Sequence, residues 1–431
     1  MDIFQIVPSL SPSIGGVADY SFILARQLRA AHGVNTRFVV CDPNWKPEDG
    51  RRTTDDGLLT SDIRHPTSNF WLDGFPVFQL KERSAAELLR VLSQPGMPTT
   101  VLLQYVGYGY EKRGCPVWLA RALRAWKSRK QPGEIGGLME CGTVSTGQAI
   151  SQAKEVGGQK PNPISDVSVS AFSFSAERRL VTMFHELYAF GPPWRSSFWT
   201  SPVQRWIAKR LADVSDCCYT SKIMYAKMLR QLSFCHRQIR VFPIFSTIGE
   251  SKNILPLQQR KRQMLIFGTP GWRRKIYTEH IEALSRACRS LRVERIVDVG
   301  ESHGIKLNFM PVIETGRQPA SEVRRLLSES MAGFMTYFDD SLAKSSIFAA
   351  YCAHGVLPIL ACRGASEADG ITQGGEYLSA LDMPETTNDT EMQAVADNAQ
   401  LWYRKHSIEK TALKVAMDLT GEKYYASEVT T

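Results

Sequence analysis

Short apolar or β-branched runs recur along the chain. Each is followed by a polar loop and then by apolar residues at helical spacing. In the first half such runs fall at 3–7, 37–41, 77–80, 100–106, 180–184, 218–220 and 239–243, and a helix expected over 17–31 ends before Gly33. Strands that alternate with helices imply parallel βαβ units, because parallel neighbours need a long crossover.

The theme then restarts. An apolar run at 264–267 leads into Gly268. The expected order from there is helix 278–291, strand 295–299, helix 321–328, strand 332–337, helix 346–353 and strand 356–360. Between the two halves, 246–262 holds Gly249, Pro256 and the polar run Gln258-Gln259-Arg260-Lys261-Arg262, the character of a linker. The tail over 391–422 reads as helical and poor in β-formers, so it is expected to pack over the domains without adding strands. The organisation predicted is a first domain over 1–245, a second over 263–390 and a helical tail over 391–431. One stretch breaks the pattern: 131–175 is rich in Gly, Ser, Gln and Pro and poor in aromatics, so it is expected to be a disordered insertion in the first domain, either a lid or a loop without function.

A chain of 431 residues with 43% hydrophobic and 22% charged residues has the composition of a globular protein large enough for two domains and a core without covalent staples. No apolar run approaches the ~20 residues that span a bilayer, and residues 1–8 read as a buried strand, lacking the basic start and long apolar stretch of a signal peptide. The nine cysteines are scattered, with no CxxC and with Cys217-Cys218 adjacent, as expected of reduced thiols in a cytoplasmic protein. A formal net charge of +9 permits phosphate, anionic lipid or nucleic acid as a partner and selects none of them.

Four segments carry candidate chemistry. Pro12-Ser13-Ile14-Gly15-Gly16-Val17-Ala18-Asp19-Tyr20 follows the first strand and opens a helix. The paired glycines allow a sharp turn and close approach of a ligand, although a purely structural turn reads the same way. The spacing is not GxGxxG, so a dinucleotide site is not supported. Thr182-Met183-Phe184-His185-Glu186-Leu187 puts an imidazole where a buried strand ends, the place at which open α/β sheets bind ligands. The alternative is a histidine satisfied by a local backbone partner. Ala189 stands where HExxH would need its second histidine, so zinc is disfavoured and no metal site is expected.

Phe267-Gly268-Thr269-Pro270-Gly271-Trp272-Arg273-Arg274-Lys275 sets Gly-rich backbone beside three cations after the first strand of the second half. It is either a diphosphate cradle or a solvated basic loop, and the Walker pattern is absent. The fourth segment runs from Asp339 to Ile359. In it Lys344, Ser345 and Ser346 open an apolar helix that Gly355 ends, so hydroxyls and free amides there either bind phosphate or simply cap. Two further segments stay ambiguous. The basic amphipathic helix over 115–130, with Trp118, Leu123 and Trp126, permits peripheral contact with anionic lipid but is more readily read as core packing on the sheet. The Trp- and Pro-rich cluster over 190–202 either shapes an acceptor cleft or covers the sheet.

In order and spacing these four segments resemble the family 4 type of retaining glycosyltransferase with the two-Rossmann GT-B architecture. The resemblance implies an α/β fold of two facing Rossmann-like domains with a cleft between them and a long insertion in the first. Gly15 and Gly16 would then lie near donor and acceptor, and His185 beside the donor sugar. Arg273 or Arg274, with Lys275, would grip the diphosphate, with Lys344, Ser345 and Ser346 also at the donor. Ala353-His354-Gly355-Val356-Leu357-Pro358 is the most family-specific piece. Aligned on Gly355, Leu342 and Ala350 occupy the places of two glutamates that the family usually carries, the second of which normally holds the ribose.

The implied reaction is metal-independent transfer of a sugar from a nucleoside diphosphate sugar to an acceptor hydroxyl with retention. It needs no cofactor beyond the nucleotide sugar, which is a substrate. A glycan or lipid-linked acceptor is implied, with peripheral contact at the inner membrane as an extension and nucleic acid not expected, the basic residues being dispersed. The alternatives are a non-catalytic nucleotide-sugar-binding or scaffolding protein of the same fold and another activity such as a nucleotide-sugar epimerase.

Overall fold

A computed structural model of the chain describes residues 1–12, 15–47, 70–129, 177–189, 191–233, 239–362 and 367–421. Two compact units are distinguished, one of Met1–Lys127 with Arg178–Thr431 and the other of Ser128–Glu177. The expected disordered insertion over 131–175 lies outside the described residues. The larger unit holds both sheets of the molecule.

The first half runs β1 (Asp2–Val7), α1 (Gly16–His32), β2 (Asn35–Val40), β3 (Phe70–Leu72), β4 (Phe75–Gln79), α2 (Ala85–Leu92), β5 (Thr100–Tyr105), α3 (Gly107–Tyr110), α4 (Val117–Ser128), β6 (Arg179–Phe184), α5 (Ser196–Val214), β7 (Cys217–Thr220), α6 (Ile223–Leu232) and β8 (Ile239–Val241). Its eight-stranded sheet has the order β3-β4-β2-β1-β5-β6-β7-β8, and every pairing is parallel except that of β3 with β4.

The second half runs β9 (Lys261–Phe267), α7 (Pro270–Glu279), α8 (Ile281–Ser290), β10 (Arg295–Val299), β11 (Val312–Glu314), α9 (Ala320–Glu329), β12 (Ser330–Met335), α10 (Ser346–Ala353), β13 (Leu357–Leu360), β14 (Leu378–Ser379), α11 (Asp389–Arg404) and α12 (Ile408–Thr420). Its six strands are all parallel in the order β11-β10-β9-β12-β13-β14. In both sheets the order reverses beside the first strand, at β1/β5 and at β9/β12. A doubly wound sheet opens a crevice at such a switch point.

Alternation of side chains across each strand assigns the faces. In β6, Leu180 and Phe184 point to a core with Leu119, Leu123 and Trp126 of α4 and Ile207 and Leu211 of α5. Val181 and Met183 point the other way, to Tyr20, Leu24 and Leu28 of α1 and Val415 and Leu419 of α12. Helix α4 therefore spends its apolar stripe on the sheet, which is the core-packing reading of 115–130. The second core continues through Phe242, Ile244 and Phe245 into Leu342, Ala343 and Phe348, so one apolar cluster runs from the first half into the second.

The tail is helical as expected, in the form of two helices. Ser407 caps the second of them by accepting from the Lys410 amide. Helix α11 packs on α10 and β13, whereas α12 packs on α1, β5 and β6 of the first sheet. Asp418 on α12 takes an ion pair from Arg240 at 3.1 Å and a hydrogen bond from the Tyr219 hydroxyl. The linker is tied to the tail as well: the Ser246 amide donates to the Tyr403 hydroxyl at 3.0 Å, and that hydroxyl donates to Glu250 at 2.6 Å.

A second difference concerns the turn after β9. The expected cation-bearing loop is the first two turns of α7, because Pro270 sits at the helix start, where its missing amide hydrogen costs nothing and its fixed φ suits the helix. The expected helix over 278–291 is correspondingly divided at His280 into α7 and α8.

Candidate active site

His185 follows the last residue of β6 and continues its alternation onto the α1 side. There it meets Tyr20 edge to face at 5.0 Å. The side chain is buried, and Nε2 donates to the Gln104 amide oxygen on neighbouring β5 at 2.8 Å. That bond leaves Nδ1 as the acceptor of a neutral ring. Burial, reinforced by the positive charge of Lys344, lowers the imidazole pKa from 6.5 to about 3, so the ring stays neutral at physiological pH. The satisfied-histidine alternative is thus half right: one nitrogen is satisfied, by a side chain on the adjacent strand.

Glu186 points to the opposite face. With Gly107, Tyr108, Tyr188, Gln204 and Tyr225 it lines a cavity of about 290 Å³ at the carboxyl ends of β5 and β6. Gln204 of α5 is buried and holds this wall together, accepting from the Ala189 amide at 2.7 Å and donating to the Arg113 carbonyl at 2.9 Å.

The second half reaches this edge through the segment after β12, a 3-10 turn over Asp339–Lys344. Lys344 Nζ lies 3.6 Å from Glu186 Oε1 and 3.2 Å from the Tyr225 hydroxyl. Lys222, at the start of α6 and almost wholly buried, binds Asp340 at 3.2 Å and the Ser341 hydroxyl at 2.9 Å. The amide of Ile223 donates to Asp369 at 2.5 Å. Two lysines thus flank the Tyr225 ring, at 5.4 and 5.2 Å from its centroid.

Of the other residues singled out from the sequence, Gly15 and Gly16 are exposed at the start of α1. A side-chain carbon at either would meet nothing within 4 Å, so the space before them is open. Ser345 caps α10, its hydroxyl accepting from the Phe348 amide at 3.2 Å, while Ser346 is the first residue of that helix and half-buried. Gly268 has φ +135°, and a side-chain carbon there would stand 2.5 Å from Ile347 Cδ1. The starts of α7 and α10 therefore lie side by side, each with amides free of helical partners.

Arg273 differs from the other two cations of its triplet. It is buried and paired with Asp298, which also accepts from Tyr277 at 2.7 Å, so its charge is spent inside the second half. Arg274 and Lys275 are exposed, with Lys275 Nζ 5.0 Å from the Trp272 ring. Trp272 packs on Tyr337 at 5.4 Å, and burial holds the Tyr337 hydroxyl above its usual pKa. Contacts thus run from Lys275 through Trp272 to Tyr337, while Lys344 touches Glu186, the residue after His185. Arg274 and Lys275 thus stay at the surface, while Arg273 is turned into the interior.

Gln104, Lys222 and Tyr225 were not singled out from the sequence, and Tyr20 was named only as the end of the first segment. Gln104 carried a usable signal, a polar residue inside the otherwise apolar run Val101-Leu102-Leu103-Gln104-Tyr105. Lys222 and Tyr225 carried none, because the second-half residues they bind, Asp340, Ser341 and Lys344, lie more than a hundred residues away.

No family model and no curated protein matches the chain. Solved structures do resemble it. The Anabaena protein Alr3699/HepE, in complex with UDP and glucose, aligns with a TM-score of 0.51 and 11% identity over 97% of this chain and 99% of that one. The apo form of the lipopolysaccharide outer core galactosyltransferase WaaB aligns with a TM-score of 0.50 and 10% identity over 98% and 100%. An alpha-glucosyltransferase solved with UDP and a 13-mer DNA aligns at a TM-score of 0.49 and 10% identity over 98% and 99%, too loose a likeness to argue for or against a nucleic-acid partner here. At such identities the likeness is one of fold. The chain has the α/β fold of two parallel sheets found in GT-B glycosyltransferases. Among the described residues no helix is long and apolar enough to cross a membrane.

Proposed function

We propose that the protein transfers a sugar from a nucleoside diphosphate sugar to an acceptor hydroxyl, with retention and without a metal. The observation that carries this reading is the placing of Lys344, from the second sheet, against Glu186 and beside His185 at the end of a strand of the first. The relatives in fold that hold UDP or act as galactosyltransferases agree with it.

In this reading the diphosphate lies across the paired starts of α7 and α10. Amide donors and the ammonium groups of Lys275 and Lys344, with the Arg274 guanidinium, neutralise the charge that builds on it. The hydroxyls of Ser345 and Ser346 add contacts, and Gly15 and Gly16 leave room for the sugar. His185 Nδ1 accepts from a sugar hydroxyl and fixes the orientation of the ring. The acceptor oxygen bonds to the anomeric carbon as the bond from that carbon to the β-phosphate oxygen breaks, and the acceptor proton passes to the departing phosphate. Attack on the face that the diphosphate leaves gives retention. The cavity beside Glu186 is where the acceptor enters.

The test is thermal stabilisation by UDP, GDP and ADP, each against its nucleoside, followed by turnover of the matching nucleotide sugars. One diphosphate should raise the melting temperature well beyond its nucleoside, and its sugar should be consumed with an acceptor present. Stabilisation by none of the three would overturn the reading. A binder without turnover is the second reading. It is favoured by Leu342 and Ala350, which are buried apolar residues where the resembled family carries glutamates. Stabilisation without consumption of donor would establish it.

A further inference from the structure

Helix α5 and the residues leading into it expose four large aromatic side chains: Trp194 at 83%, Trp199 at 71%, Phe198 at 42% and Trp206 at 40%. The inner face of the helix is spent on the sheet, with Gln204, Ile207, Ala208 and Leu211 buried. The outer face carries Trp199, Val203, Trp206 and Arg210 at spacings of four, three and four, a single stripe of a helix. Between Trp194 and Arg210 there is no acidic residue and there are four cations, Arg195, Arg205, Lys209 and Arg210. Lys209 is paired with Asp213 at 2.9 Å. The guanidinium groups of Arg205 and Arg210 lie 5.4 Å from the Tyr188 and Trp206 ring centroids, respectively.

We propose that α5 docks the protein on an anionic membrane surface. The aromatics would lie in the headgroup zone, and Arg195, Arg205 and Arg210 against lipid phosphates. The composition favours a bilayer over the other occupants of an apolar face. Trp and Phe are the side chains that settle at the boundary between water and acyl chains, and a basic, aromatic helix of this kind lies in the interface plane. A second copy of the chain meeting this face about a twofold axis would bring together two patches that each carry Arg195, Arg205 and Arg210 and no acidic residue between Trp194 and Arg210, a repulsive arrangement. The net charge of +9 adds a long-range attraction to anionic lipid. Gln204 on the inner face lines the cavity beside Glu186, so the docked helix is also a wall of that cavity. If the transfer reading holds, the acceptor reaches it from the bilayer.

The experiment is flotation of the full chain with vesicles of phosphatidylcholine alone and of phosphatidylcholine with phosphatidylglycerol, followed by tryptophan emission and repeated at rising salt. No nucleotide is present, so the result is independent of the transfer reading. Expected are binding to the anionic vesicles, a blue shift, and weakening as salt rises. Trp199→Ser with Trp206→Ser should lower the partition coefficient by about ten-fold or more. Both side chains are exposed, and an unchanged melting curve would confirm that the variant folds. Arg205→Gln with Arg210→Gln should remove the preference for anionic over neutral vesicles. Failure of the parent to float with anionic vesicles overturns the proposal, as does flotation indifferent to the aromatic pair. Sedimentation showing a dimer that the aromatic variant dissolves would assign the face to a second copy.

Discussion

Lys344 Nζ stands 3.6 Å from Glu186 Oε1, and the two belong to different sheets. The lysine rides on the 3-10 turn after β12, the carboxylate on the residue after His185. The pair is only partly buried, so its contribution to stability is small. Its significance lies in what the ammonium does to neighbours on both sides. It helps to hold His185 neutral and projects charge where a diphosphate would lie. Lys344→Ala should therefore weaken nucleoside diphosphate binding by roughly 10- to 100-fold, the worth of about 1.5–3 kcal/mol for a charge-assisted hydrogen bond, and should leave nucleoside binding nearly unchanged. Calorimetric titration with each ligand reads the difference. Equal losses for both ligands would remove the phosphate role.

Lys275→Ala should show the same selectivity, since Lys275 is exposed on α7 beside Trp272. Arg273 should not. Its guanidinium is buried against Asp298, so Arg273→Ala leaves a buried carboxylate unpaired and should cost about 3–5 kcal/mol of stability. Denaturant unfolding of the two variants separates the roles. An Arg273 variant as stable as the parent would contradict the assignment.

Much of this architecture was legible in the sequence, and the parts that were not have identifiable causes. The central strands read well because both faces are buried. The runs at 3–7, 100–106, 180–184 and 295–299 correspond to β1, β5, β6 and β10. The edge strands β3, β11 and β14 were missed: they are two or three residues long, too short for a period-two pattern to register. Helices α5 and α7 were obscured by clustered Gly and Trp and by prolines that signal loops locally: Pro270 is tolerated at the start of α7, whereas Pro202 lies inside α5. His185 and Lys344 stood out because each ends an apolar strand or opens an apolar helix. That Arg273 faces inward while Arg274 and Lys275 face outward depends on where the helix begins, which the triplet itself does not encode.

Gln104 is the partner that sets the His185 tautomer, so removing it should impair turnover more than donor binding. Gln104→Leu leaves the Nε2 hydrogen without an acceptor in a buried site, at a cost of about 1–3 kcal/mol, and frees the ring to turn. Gln104→Glu keeps an acceptor oxygen and should restore the orientation, while its charge raises the imidazole pKa. In a transfer assay kcat should fall for Gln104→Leu with KM little changed, and the glutamate variant should recover part of the loss. A fall in affinity alone, with kcat intact, would make Gln104 a binding residue.

Three buried histidines make stability depend on pH in a defined direction. Burial lowers the imidazoles of His185 and His406 from 6.5 to about 3, and that of His354 to about 4. Each is neutral in the fold yet takes up a proton near pH 6.5 once unfolded, so unfolding binds protons between those values. The stability they provide is complete above about pH 6.5 and is lost as the pH falls toward about 3–4. At about pH 5 the deficit per histidine is on the order of 2 kcal/mol. His406→Phe keeps a ring against Trp402, 4.2 Å away, and should flatten the acid limb of a plot of melting temperature against pH. An acid limb identical to the parent's would show that His406 does not contribute.

The close approach of α7 and α10 rests on Gly268, and it can be tested by restoring the missing carbon. In Gly268→Ala the new methyl meets Ile347 Cδ1 at 2.5 Å, and φ +135° is a conformation that alanine adopts only under strain. The clash and the backbone strain should together cost about 2–4 kcal/mol. They should also push the two helix starts apart, weakening diphosphate binding beyond the loss of stability. Ile347→Val removes the clashing carbon but leaves the backbone strain. The double variant should therefore recover part of the stability and most of the diphosphate affinity, because affinity depends on the spacing of the helix starts and not on the torsion itself. Full recovery of both would mean that the contact alone required glycine. Recovery of stability without affinity would separate the helix starts from the diphosphate site.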